Sequence, residues 1–98
     1  MPQVPIQKGQ RFALNKLMGK FSDSRDMRLW LVNHLLRHGR TITSTSELTV
    51  LEWRQIRDRA YPNWEADDWT VGDAFIVHMH TLAQEYKENA LGQKRLFD

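Results

Sequence analysis

The side chains in this 98-residue chain that could do chemistry are four histidines, a cluster of carboxylates and a set of arginines; there is no cysteine. His34 and His38 lie four apart, a spacing that can bring two imidazoles to one metal on a helix. Leu35-Leu36-Arg37 stands between them, so the zinc-protease pattern, with Glu beside the first His, is missing. His78 and His80 are two apart and point to different sides of a helix. Without cysteine there is no thiolate nucleophile, disulfide framework or Cys-ligated zinc. Glu65, Asp67 and Asp68 gather in a turn beside Trp64 and Trp69, where solvated capping charges are expected, and they lack calcium-loop spacing. No Gly-rich phosphate loop, nucleophile elbow or carboxylate pair in an apolar pattern is present. The expectation is a protein without metal, cofactor or catalytic residues.

The arginines carry more information. Arg25, Arg28, Arg37 and Arg40 bracket one apolar stretch, and Arg54, Arg57 and Arg59 line another. A planar guanidinium matches a phosphate, and helix-borne Arg near Ser and Thr grips a nucleic-acid backbone. Residues 1–60 hold eleven Lys and Arg against five Asp and Glu, whereas residues 61–98 hold three against seven. A basic front and an acidic back could turn one face to a polyanion, or be an unevenly charged solvated surface. Arg25, Arg28, Arg37, Arg40, Arg54 and Arg57 are the expected DNA contacts. No base-reading motif accompanies them, so binding should be weak, phosphate-led and non-specific. Arg54 and Asp58, four apart, could instead pair along their helix.

The elements that must position these groups follow from periodicity and capping. Residues 1–6 hold two of the three prolines and read as an extended lead-in. Leu14, Leu17, Met18 and Phe21 trace an amphipathic helix from about Lys8 to Lys20. After the Ser22-Asp23-Ser24 break, Met27, Trp30, Leu31 and Leu35, flanked by Leu29, Val32 and Leu36, predict a central second helix. Arg37 and His38 would form its last turn and Gly39 its stop. A polar connector, Thr41 to Ser46, leads to a capping box of Thr49 and Glu52 with Leu48 and Trp53 as a staple. That box predicts a third helix from Val50 to Tyr61, stopped by Pro62. Thr70 with Asp73 predicts the cap of a fourth, whose stripe is Val71, Phe75, Met79, Leu82 and Tyr86, ending near Asn89 before Gly92. The fold class expected is all-α: a small four-helix domain over residues 1–92 with a short C-terminal tail, 93–98. No apolar run nears the roughly 18 residues of a membrane span, and the opening residues lack a signal peptide's apolar stretch. A soluble, cytoplasmic protein with no membrane partner is expected.

Two stretches resemble known families. From Gly9 to Tyr61, Gln10-Arg11 opens a helix, a second helix follows, and a Ser/Thr connector precedes Ser46-Glu47-Leu48-Thr49 and another helix. This order resembles the helical domain of phage GemA-like regulatory proteins and of some phage recombination proteins. The loop from Pro62 to Trp69 and the fourth helix have no place in it. The last residues, Gln93-Lys94-Arg95-Leu96-Phe97, resemble the bacterial sliding-clamp-binding pentapeptide: Gln, two variable residues, Leu, Phe. The resemblance implies that Gln93 bonds at the rim of a clamp pocket while Leu96 and Phe97 fill its apolar interior. Lys94 and Arg95 depart from the commoner Leu and Asp or Ser. Leu96 and Phe97 could equally pack back onto the bundle.

Together these readings describe a non-enzymatic accessory protein of DNA replication, repair or recombination. It would dock on the sliding clamp through its tail and touch DNA backbone through its arginines. The alternative is a small phage-type regulator or inhibitor that binds a host protein without touching nucleic acid; a third possibility is a transcriptional modulator of the GemA-like kind. The oligomeric state is not legible.

Overall fold

Side chains that take up unpaired backbone amides set where the helices begin. In the computed structural model, which describes residues 4–36 and 40–96 with side chains through Asn89, four α-helices account for most of the chain. They are α1 (Lys8–Met18), α2 (Arg25–Leu35), α3 (Val50–Ala60) and α4 (Asp73–Leu96). Short 3-10 turns cover Thr45–Glu47 and Trp64–Ala66. Gln10 accepts from the Gln7 amide ahead of α1 at 3.0 Å, and Ser24 Oγ accepts from the Met27 amide in α2 at 3.1 Å. The expected capping box is formed: Glu52 donates its amide to Thr49 Oγ1 at 3.2 Å, and Glu52 Oε1 accepts from the Thr49 amide at 2.9 Å.

The chain is an all-α four-helix domain, with no strand among the described residues. Residues 4–6 of the lead-in run alongside the start of α3, with one isolated antiparallel bridge, Pro5 to Thr49. Val50 donates to the Val4 carbonyl at 2.8 Å and Ile6 to the Leu48 carbonyl at 2.9 Å. The lead-in is thereby fastened beside the start of α3.

The helix contacts run from α1 to α2, α2 to α4, α4 to α3 and α3 back to α1. Helix α2 is therefore one member of a ring of four, not a unique centre, because α1 and α3 also cover one another. Leu14, Leu17, Met27, Leu31, Ile56 and Met79 are fully buried inside this ring. Aromatic edges zip its sides: Trp30 meets Tyr86 at 5.5 Å between α2 and α4, and Phe21 meets Phe75 at 6.2 Å.

Three helix boundaries differ from the sequence expectation. Helix α2 stops at Leu35, with Leu36 extended and buried, so it does not run on to a glycine stop. The cause is Asn33, whose amide oxygen accepts from Ile42 N–H at 2.8 Å while its Nδ2 donates to the Ile42 carbonyl at 3.1 Å. This two-point bond draws the connector back onto the helix end and places Ile42 in the core. Arg37, His38 and Gly39 lie outside the described residues. At α4 the expected Thr70 cap is lost, because Thr70 bonds the Asp68 carboxylate instead. The helix begins after Gly72, whose N–H reaches the Ala60 carbonyl at 2.8 Å; a Cβ there would sit 3.1 Å from the Pro62 ring. At its other end α4 continues past Asn89 and through Gly92 to Leu96. One glycine costs a helix about 1 kcal/mol against Ala, too little to stop it between residues as helix-prone as Leu91, Gln93, Lys94 and Arg95.

Asn33 thus closes the loop that carries Arg40. Replacing Asn33 by Ala leaves both Ile42 backbone groups without their partner and should destabilise the domain by about 1–3 kcal/mol. Urea unfolding checks this; a loss within about 0.5 kcal/mol, the range of an ordinary surface change, would deny Asn33 that role.

Candidate nucleic-acid interface

The fold sorts the six arginines expected at DNA into different environments. Arg40, reaching back from the connector, ion-pairs with Glu52 Oε1 and also donates to the Glu47 carbonyl. Glu52 is only 3% exposed, so this guanidinium is the counter-charge of a buried carboxylate and its fork is occupied. Arg57 is similarly engaged: it bonds Asp58 Oδ1 at 2.9 and 3.1 Å and lies 3.6 Å over the Trp64 ring. The pairing of Arg54 with Asp58 is not made, because Arg57 holds that carboxylate.

Arg54 is exposed on the outer face of α3 and makes no ion pair among the described residues. Arg25, the first residue of α2, is exposed and reaches the Thr43 carbonyl at 3.5 Å. Arg28, one turn further on, is half-buried, and its Nε has no hydrogen-bond partner. Arg37 lies outside the described residues. Arg11 escaped the sequence reading, yet its Nε donates to Thr45 Oγ1 at 3.0 Å across 34 residues of chain. Arg11 and Arg25 therefore both rest against the Thr43–Ser46 connector, a juxtaposition no local pattern could show. Thr43, Ser46 and Glu47 in that connector are exposed.

Glu47 holds the connector's shape. Its Oε2 accepts from the Thr43 hydroxyl at 2.8 Å and from the Thr43 amide at 2.9 Å. The Thr43 side-chain bond first, then the amide bonds, hold its carboxyl below the ordinary carboxylate range. Burial pushes the Tyr61 phenol in the opposite direction, upward.

The histidines are dispersed. His34 stacks on Trp30 at 3.7 Å, and its Nδ1 is 2.8 Å from the Trp30 carbonyl, while His38 lies outside the described residues. His80 edges against Phe21 at 5.3 Å, and His78 lines a 220 Å³ cavity with Arg59, Ala74 and Phe75. Among the described residues no three His, Asp or Glu side chains gather where a metal could bind. No helix among them is long and apolar enough to cross a membrane.

The clamp-like segment is placed differently from the expected tail. The backbone of Gln93 to Leu96 is the last turn of α4, and Phe97 lies outside the described residues.

No protein-family model matches the chain, and neither a curated protein nor a solved structure does.

The Glu47 contacts carry a pH dependence. A carboxyl held below its unfolded value contributes order that is complete above the ordinary carboxylate range and lost as pH falls through the lowered value. Protection of the Thr43 amide, its exchange rate taken relative to that of the unfolded chain at the same pH, should therefore hold from neutral pH down through the ordinary range and fall only at more acid pH. Glu47→Gln should abolish that dependence; a Thr43 amide indifferent to both would deny the contact.

Proposed function

We propose that this chain is a non-enzymatic accessory protein of DNA metabolism that lays its connector-side arginines on DNA backbone and docks on the bacterial sliding clamp through the end of α4. The observation that carries the DNA half is the meeting of Arg11 and Arg25, both exposed, on the Ser/Thr connector, where Thr43 and Ser46 are exposed and Thr45 is buried. Arg54, exposed and without an acidic partner among the described residues, adds a third guanidinium from α3. Guanidiniums beside hydroxyls form a phosphate-gripping set that reads no bases, so affinity should be modest and steeply salt-dependent. The clamp half is supported by the pattern Gln93, Leu96, Phe97.

A second reading, a regulator that binds a host protein without nucleic acid, is favoured by the internal commitment of Arg40 and Arg57. Two of the six arginines are thereby spent on the fold.

One set of variants separates the readings. Arg25→Glu with Arg54→Glu should weaken binding to duplexes of any sequence by at least about tenfold at low salt, as lost counterion release requires. Clamp binding should be untouched by that pair and abolished by Leu96→Ala with Phe97→Ala. A wild-type chain that shifts no DNA at low salt leaves the regulator; one that captures no clamp removes the docking role.

A further inference from the structure

We propose that the loop between α3 and α4 is a docking surface for an arginine- or lysine-bearing segment of another protein, with Trp69 as its anchor. This goes beyond the DNA and clamp reading and rests on different residues.

The loop is built to hold an aromatic side chain in water. Tyr61 closes α3 and is buried, and Trp64 is half-buried with Arg57 over its ring. Trp69 completes the row, 5.2 Å from Tyr61 at 68° and 6.3 Å from Trp64 at 41°. Yet Trp69 is 50% exposed. Its one polar atom, Nε1–H, is already given to Asp67 at 3.2 Å, so what faces solvent is apolar ring. The backbone around it is fixed: Asp67 sits at φ 59°, a left-handed conformation that a residue other than glycine adopts at a cost. Asp68 takes the Thr70 amide at 3.1 Å, and the Gly72–Ala60 bond pins the loop's end. A loop so tied presents Trp69 already ordered, which lowers the entropy lost on docking.

Charge names the occupant. From residue 60 to residue 86 there are five acidic side chains and no Lys or Arg. Three of the five, Glu65, Asp67 and Asp68, lie within four residues of Trp69 and are exposed. An indole face carries negative electrostatic potential, and carboxylates around it deepen that potential. The surface attracts a guanidinium or ammonium and repels phosphate. The Arg57–Trp64 contact is the same interaction made within the chain.

The test is a titration of the full-length chain, labelled at its tryptophan indoles, with a capped peptide of alternating Gly and Arg, followed by NMR. The Trp69 indole resonance should move saturably and return as salt is added. A peptide with Gln in place of Arg should not move it. Trp69→Ala, with the Trp30 and Trp53 indoles unmoved in the free protein as proof of folding, should weaken binding by about tenfold or more, read at Trp64. Glu65→Gln, at an exposed position, should weaken it by about two- to fivefold. The proposal is overturned by an unmoved Trp69 resonance at millimolar peptide, or by an equal response to the Gln peptide. It is overturned too by a shift on adding duplex DNA, or by one on diluting the protein alone, which would make a second copy the occupant.

Discussion

A single buried carboxylate, that of Glu52, joins more of this chain than any other polar group described. Its Oε1 accepts from the Thr49 amide, which starts α3, and from Arg40, which brings in the connector. Thr49 in turn faces Pro5 across the bridge that fastens the lead-in, and Arg40 reaches on to the Glu47 carbonyl. The connector and the start of α3, neighbours in sequence, thus meet around one charge, and the distant lead-in is bridged to them at Thr49. Ionised carboxylate is expensive away from water unless paired and hydrogen-bonded, so removing either partner strands the other. That demand fixes Arg40 in place and withdraws it from any role at the surface.

The distribution of charge bears on both proposed surfaces. The basic half of the chain has more guanidiniums than carboxylates, and among them Arg11, Arg25 and Arg54 are exposed and make no ion pair among the described residues. The acidic loop has no Lys or Arg of its own, and Arg57 of α3 lies over its Trp64 ring. On the two proposals, phosphate meets the connector arginines and cationic side chains meet the acidic loop, where the row of rings adds an apolar anchor.

What could be read from the sequence was what is local in it. Thr49 and Glu52 are three residues apart, and their box stands as expected; the apolar stripes of α1, α2 and α4 likewise supply much of the core, with Phe21, Trp30, Val71 and Tyr86 half-buried at its edge. What could not be read was set by partners distant along the chain. Asn33 ends α2 by bonding Ile42, and no periodicity announces a side chain that mimics a backbone partner. Thr70 fails as a cap because Asp68 reaches it first, a competition between two good local rules. Gly92 was overweighted as a breaker, since its neighbours' helix propensity outweighs it. The arginines read alike as a set, and only the fold separates Arg40, which serves Glu52, from Arg54, which makes no ion pair among the described residues.

That separation is the central claim, and a paired neutralisation tests it directly: Arg40→Gln and Arg54→Gln, each measured for its unfolding midpoint and for the salt dependence of duplex binding. Arg40→Gln should lower the midpoint by several degrees, since Glu52 loses its buried counter-charge, and leave the salt slope as it was. Arg54→Gln should keep the midpoint and reduce the slope by about one phosphate's worth. The opposite pattern, a stable Arg40→Gln with a reduced slope beside an Arg54→Gln that melts early, would contradict the assignment of these two residues.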